Sequence, residues 1–294
     1  MALGRNKIQT NYYQIHTKEN IDLYKIFDGG QIFSWGKYSE GYRGLIDNVP
    51  FFVKYKDNIL YIVTSISENK AKEMIVNFFD LDTSVEKIKQ LISINDSFMS
   101  KAIKSNDGLR ILKQDPWICL VSFICSSVAN FNKISLNIKN ISENLGEKFI
   151  FNNSLFYTFP TPEIIANQTI ETLQGYGLGF RSKYLHDIAN KIYKNDFNLH
   201  NLKDNTYYDS RSLLESLYGV GSKIADCVLL YSLNKTEAFP IDRWVQRALR
   251  DGYGLDINNS YNTSSEWARS TWKENAGYAQ QFLFQYQKEL NNEI

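Results

Sequence analysis

The sequence predicts an α+β fold in which an N-terminal antiparallel β-sheet packs on a largely helical body. Two changes of pattern carry that expectation. Residues 12–65 alternate in the manner of strands whose one face is buried, a period of two residues. From residue 67 the apolar positions recur with a helical period, and helical patterns dominate to the C-terminus, with Pro160, Pro162 and Pro240 as breaks.

Within the first region the β-rich runs 42–46, 51–55 and 59–63 read as strands. Asp47-Asn48 and Lys56-Asp57-Asn58 separate them, and Asp and Asn favour turns because their side chains bond the local backbone and tolerate left-handed angles. The span 67–79 reads as a helix that opens on a Ser67 cap and places Ala71, Ile75 and Phe78 on one face. Farther on, Leu213, Leu214 and Leu217 form an apolar stripe on a helix. A hairpin, Tyr218-Gly219-Val220-Gly221, follows, and Ile224, Ala225, Val228 and Leu229 stripe a second helix. Pro240 closes the next turn, so that Asp242 stands at the start of a third helix. No internal repeat or low-complexity linker divides the chain. We expect two domains: 1–106, the sheet with flanking helices, and 107–294, the helical part, with the N-terminal segment also packing on the helical body.

The hairpin is where chemistry concentrates. Gly219 and Gly221 allow positive φ and close backbone approach. They leave the unpaired N–H groups of the second helix's first turn open to a phosphate. Lys223 lies on that first turn, where the helix dipole disfavours an ammonium, and a neutral amine is a nucleophile. Taken alone, Lys223 reads equally as a surface lysine that contacts phosphate, and Asp242 as a plain helix cap.

The segment 213–244 is the helix-hairpin-helix plus Gly/Pro-Asp signature, and through it the chain resembles the DNA glycosylase superfamily that carries that motif. The surrounding segments narrow the resemblance to lyase-competent 8-oxoguanine DNA glycosylases, in a microbial member. Gly30-Gln31-Ile32-Phe33-Ser34-Trp35 is similar to the family's GQxFxW strand. Leu112 to Pro116 with Ser122 to Ser127 is similar to its central helix pair, and Gly177 to Arg181 and Ala276 to Gln280 resemble two further segments. These likenesses come in family order. They imply a body of two helical subdomains with the active site in the cleft between them. They also imply a bifunctional enzyme that flips 8-oxoguanine out of duplex DNA, excises it through a lysine Schiff base, and cuts the strand by β-elimination.

The same resemblance distributes roles. It makes Lys223 the nucleophile and Asp242 the carboxylate that stabilises the developing sugar cation. Gly30 becomes the backbone acceptor for the N7–H of the oxidised base, Cys227 and Phe284 its sandwich, and Gln280 the reader of its Watson–Crick edge. DNA contacts fall on Gly219, Val220, Gly221, Asn130, Lys133, Phe180, Arg181 and Trp244. Each of the pocket residues has an ordinary reading too: Phe284 and Cys227 as core, Gln280 as a surface amide, Gly30 as a strand bulge. The chain also departs from the family. Val128-Ala129-Asn130 and Lys133 replace the three asparagines and the arginine with which eukaryotic members read the orphaned cytosine. Trp244 replaces a histidine, and Phe180 a tyrosine. A glycosylase for another damaged base, or a non-catalytic helix-hairpin-helix DNA-binding protein, are the alternatives.

Composition bounds the rest. A net charge of +1 leaves a nucleic-acid surface to local clusters, with Lys133, Arg181, Lys183, Lys223, Arg243, Arg247 and Arg250 flanking the motifs. The three cysteines, Cys119, Cys125 and Cys227, fit a reducing compartment. They cannot supply a four-cysteine iron–sulfur cluster, and with three dispersed histidines no metal site is expected. There is no GxxxxGKS/T phosphate loop and no HExxH. The opening thirteen residues lack the apolar core of a signal peptide, and no run is long enough to span a membrane. The expectation is a cofactor-free monomer acting on double-stranded DNA in the cytoplasm, at the nucleoid of a microbe.

Overall fold

The computed structural model describes residues 9–291. Residues 1–8 and 292–294, which the expected domains and the signal-peptide reading include, lie outside the described residues. Five strands, β1 (Asn11–His16), β2 (Gly36–Tyr38), β3 (Gly41–Ile46), β4 (Val49–Lys56) and β5 (Ile59–Thr64), form one antiparallel sheet in the order β1-β5-β4-β3-β2. Two-residue turns join β3 to β4 and β4 to β5, where Ile46 faces Val49 and Lys56 faces Ile59. Both residues of each turn take positive φ: 48° and 62° at Asp47-Asn48, 52° and 60° at Asp57-Asn58. Turns of that hand match the right-handed twist of the flanking strands. The general alternation also hid two strands not singled out, β1 and β2, at the sheet's two edges.

The expected strand at 30–35 is not a strand. Gly30 turns the chain at φ 79°, and Gln31 is fully buried, its amide side chain acting as the pairing partner. Gln31 Nε2 donates to the Arg110 carbonyl at 2.9 Å, its Oε1 accepts from the Leu112 N–H at 2.9 Å, and Gln114 Nε2 donates to the Gln31 carbonyl at 2.7 Å. Side-chain bonds thus satisfy this segment in place of a ladder. Trp35 then stacks between Phe27 and Phe78 (ring centroids 4.7 and 5.3 Å apart), pinning the loop to the core under the sheet.

That core joins the sheet to the helix Glu68–Phe78, which buries Ala71, Ile75 and Phe78 as its period requires. Ser67 stands at the cap position in extended backbone, but its hydroxyl makes no cap bond. A second, larger core holds the helical body, and Val85, Ile92, Met99 and Ala102 belong to it. These four residues fall within the expected first domain, whereas Leu112, beyond it, belongs to the core under the sheet. The helix Ser97–Ser105 lies against the C-terminal helix Ala276–Leu290, which draws it into the helical body. The helical run is also interrupted by β6 (Lys148–Phe151) and β7 (Ser154–Tyr157), a hairpin whose Asn152-Asn153 turn has φ of 46° and 57°. Phe151 and Phe156 pack there on Phe52 of the sheet.

The helix-hairpin-helix forms where expected, from Tyr207–Glu215 and Ser222–Ser232. Leu214 and Leu217 are buried, whereas Leu213 faces outward, so the first stripe is narrower than the sequence suggested. The two hairpin glycines differ. Gly219 takes φ 82°, and a Cβ there would sit 2.3 Å from the root of the Tyr184 ring. Gly221 has an ordinary φ of −99° and open space around it. We predict that Gly219→Ala costs about 1–3 kcal/mol in urea unfolding, through strain and the clash with Tyr184. Gly221→Ala should cost about 1 kcal/mol or less, since only its cap preference changes. Equal losses at both positions would contradict this assignment.

Candidate active-site cleft

A cleft of about 1130 Å³ opens at the start of the helix Ser222–Ser232. Pieces distant in sequence line it: Gly30 and Phe33, the loop 126–131, Gly219 and Gly221, Lys223 and Cys227, Pro240 with Asp242 to Trp244, and Gln280 with Phe284. The sequence-derived candidates Lys223, Asp242, Gly30, Cys227, Gln280, Phe284, Gly219, Gly221, Asn130 and Trp244 are thus brought together. Val220, Lys133, Phe180 and Arg181 do not line it.

Two helix N-termini converge on this space. Gly221 supplies no side chain to the first turn of Ser222–Ser232, so that turn's N–H groups remain available to an anion from outside. Half-buried Lys223 extends from the same turn. Its Nζ donates to Ser126 Oγ at 3.0 Å and lies 5.1 Å from the centroid of the Phe123 ring. Asp242 caps the other helix, Arg243–Tyr253, with Oδ1 accepting from the Trp244 and Val245 N–H groups, each at 2.9 Å. Burial raises the Asp242 carboxyl above the ordinary carboxylate range, against the pull of the Val245 N–H, Lys223, the Trp244 N–H and Arg243. The second oxygen of the carboxylate is not used by the cap bonds.

Beside this pair lies a slot. The backbone at Gly30 runs against Phe284, whose ring atoms would stand 3.2 and 3.3 Å from a Cβ at that position. A side chain there would strain at φ 79° and press the Phe284 ring, which favours glycine. Cys227, one turn beyond Lys223, is 2% exposed, and burial pushes its thiol up to about 12, so it is neutral at pH 7. The Tyr231 hydroxyl donates its one proton to Oε1 of Gln281 at 2.7 Å and lies 3.3 Å from Oε1 of Gln280. Gln281 and Gln285 in turn donate to the Gly29 carbonyl at 3.0 and 2.9 Å. Sequence reasoning missed Tyr231, Gln281 and Gln285. The signal for the two glutamines was a helix with four glutamines, Gln280, Gln281, Gln285 and Gln287, among apolar residues, where burial requires partners.

Four of the residues expected to contact DNA lie outside the cleft lining. Arg181 is buried, and its guanidinium donates to the main-chain carbonyls of Ser127, Val128 and Leu178, which holds the 126–130 loop rather than presenting a fork. Lys133 folds back, its Nζ 3.2 Å from where a Cβ on Gly177 would be. Val220 is buried, so only its backbone faces outward. Phe180 is 49% exposed outside the cleft wall, covered on one face by Arg181 at 4.6 Å. Asn130 spends Oδ1 capping the helix Phe131–Leu145 through the Lys133 N–H, at 3.0 Å. Trp244 lies buried with Arg243 and Arg247 stacked on its ring at 4.6 and 4.8 Å. Val128, β-branched, holds φ at 51° and is 94% exposed at the lip of the cleft. Among the described residues no group of three His, Cys, Asp or Glu side chains could hold a metal ion.

Residues 14–120 match the family described as 8-oxoguanine DNA glycosylase, N-terminal domain, and residues 121–274 match the HhH-GPD superfamily of base excision DNA repair proteins. A probable N-glycosylase/DNA lyase of Methanothermobacter thermautotrophicus is 29% identical over 280 residues, covering 86% of this chain and 88% of that protein. The 8-oxoguanine glycosylase/lyase of Clostridium acetobutylicum, solved with double-stranded DNA containing cytosine opposite 8-oxoguanine, superposes with a TM-score of 0.88 at 33% identity, covering 93% of each chain. A 3-methyladenine DNA glycosylase of Archaeoglobus fulgidus superposes over 95% of this chain with a TM-score of 0.79 at 19% identity, a likeness of fold alone.

A carboxyl raised in the folded state binds its proton more tightly there than in the unfolded chain. The stability it contributes is present below the ordinary Asp range and is lost as pH rises through the raised value. Asp242→Asn keeps the cap acceptor without that loss. Its thermal midpoint should therefore gain on wild type as pH rises from about 4 to about 7. A gap that shrinks over the same range would show that burial is not the dominant influence on Asp242.

Proposed function

Because the chain belongs to the HhH-GPD superfamily of base excision DNA repair proteins and, within it, to the 8-oxoguanine DNA glycosylases, we propose that it excises 8-oxoguanine from duplex DNA and then cuts the strand, with Lys223 as nucleophile. The observation that carries the assignment is the convergence of Lys223, Asp242 and the Gly30–Phe284 slot on one cleft. A base inside the helical stack exposes no face of C1′, so the nucleotide first swings out into the cleft. The open N–H groups after Gly221 suit a backbone phosphate, and the slot between Cys227 and Phe284 suits a flat base.

In the reaction the Lys223 nitrogen bonds to C1′ as the C1′–N9 bond breaks, and the departing base takes up a proton. The sugar carries positive charge as the base leaves, and the Asp242 carboxylate, desolvated beside it, stabilises that charge. Loss of the amine proton and opening of the sugar ring give the imine. Removal of a C2′ proton then expels the 3′ phosphate by β-elimination. The Gly30 carbonyl accepts the N7–H that oxidised guanine has and guanine lacks; with guanine it would face a lone pair. Gln280, on the cleft wall, reads the opposite edge of the base. This reading places the enzyme on chromosomal DNA in the cytoplasm; no described helix is long and apolar enough to cross a membrane.

The cleft's lip supports relaxed reading of the opposite base. Val128 has no amide, Lys133 folds onto the Gly177 turn, and the Arg181 guanidinium is occupied by loop carbonyls. Arg181 therefore offers no open fork there to read cytosine.

Base release from a duplex with one 8-oxoguanine tests the assignment. Wild type should release it, and Lys223→Gln should lose about a thousandfold or more in single-turnover rate while still binding the duplex. A variant that releases the base at the wild-type rate would remove Lys223 from the chemistry. Excision opposite C, A, G and T should fall within about tenfold of one another. A preference for cytosine of several hundredfold would refute the relaxed reading.

A further inference from the structure

We propose that Asp226 and Tyr261 are positioning residues that brace the turn before Asp242 against the helix that carries Lys223. The proposal rests on the assignment of Lys223 and Asp242 above. Asp226 follows Lys223 by three residues, is wholly buried, and is surrounded on its own helix by Ala225, Cys227, Val228 and Leu229. A carboxylate in such a place costs stability unless its oxygens are paired, and an apolar residue would pack there without that cost. Both oxygens are paired. Oδ1 accepts from the Tyr207 hydroxyl at 2.7 Å, and Oδ2 from the Tyr261 hydroxyl at 2.6 Å. Arg269 donates to the Tyr207 oxygen at 2.9 Å, and Arg211 Nε lies 3.9 Å from Asp226, so two cations offset the buried charge at short range.

The direction of these bonds is informative. Tyr261 has one hydroxyl proton, and the 2.6 Å contact with a carboxylate takes it in preference to the Phe239 carbonyl at 3.4 Å. The same hydroxyl oxygen is then free to accept from the Ile241 N–H, 3.3 Å away. A continuous path results: Lys223 helix, Asp226, Tyr261, Ile241, Asp242. It crosses the residues 239–242, which have no regular structure and in which Pro240 has no N–H to anchor it. Tyr261 also reaches the cleft wall. The brace thus joins the residue before the carboxylate to the residue three places after the amine. A turn that drifted by an ångström would separate the pair, and misplacement of that size costs about 100-fold in rate.

Tyr261→Phe keeps the ring and removes the hydroxyl; Asp226→Asn, of the same size, removes the charge. For Tyr261→Phe we expect single-turnover release of 8-oxoguanine to fall about 10- to 100-fold. Affinity for a duplex carrying a stable abasic-site analogue should hold within about twofold. Hydrogen exchange in the peptide that includes Ile241 should quicken. The combination with Asp242→Asn separates positioning from any independent role: Tyr261→Phe/Asp242→Asn should be no slower than Asp242→Asn alone, because the brace acts through that carboxylate. Asp226→Asn should show the same pattern if Tyr261→Phe folds poorly. Wild-type rates in the single variants, or losses that multiply in the double variant, would overturn the brace. A wild-type protein inert on the lesion would instead overturn the function on which the brace rests.

Discussion

The helix Ser222–Ser232 is buried from Ile224 to Tyr231 against Pro116–Cys125 and the first hairpin helix, and its first turn is what reaches the cleft. That boundary constrains everything around it. A lysine at the start of a core helix is held to the register of the core, because a close-packed interior does not slide. The price is a turn that delivers the chain to the helix without a side-chain cap. Gly219 makes it possible by taking φ 82° with its backbone against Tyr184. The open N–H groups that result are the same groups a DNA phosphate needs.

Asp242, the carboxylate proposed to act with Lys223, is held by the opposite device. Asp242 is a side-chain cap, fixed by two N–H bonds, and burial raises its carboxyl. One helix leaves its terminus open for the substrate and the neighbouring helix fills its terminus with the catalytic candidate. Such sites commonly sacrifice stability for function. The base slot shows the same logic at longer range. Gly30 lies far from Phe284 in sequence, and Gln281 and Gln285 clamp the Gly29 carbonyl so that the glycine backbone and the ring stay in contact. The fold alone does not choose the base, since a 3-methyladenine glycosylase of 19% identity shares it. The proposed function puts that choice in the slot and in Lys223.

Local chemistry in the sequence was legible where local rules decide the outcome. Asp47-Asn48 and Asp57-Asn58 make the turns their side chains favour, and the hairpin and Asp242 cap follow from Gly and Pro positions. Features that depend on distant partners were not legible. The segment 30–35 has strand-like residues, yet Gln31 bonds Arg110 and Leu112 instead of a ladder, which no local pattern encodes. The β6–β7 hairpin was missed even though Asn152-Asn153 sits between aromatic runs, because the helical period on both sides dominated the reading. Arg181 looked like a surface cation and is buried among loop carbonyls that become its partners only in the fold. Tyr261 carries no signal of its own, whereas Asp226 had one, an Asp inside an apolar helix.

The most direct measurement is to treat the protein with borohydride on duplex DNA carrying 8-oxoguanine, digest the product, and locate the DNA adduct by mass spectrometry. The account predicts a reduced sugar linked to the peptide that contains Lys223. An adduct on another amine, or base release with no adduct at all, would contradict it.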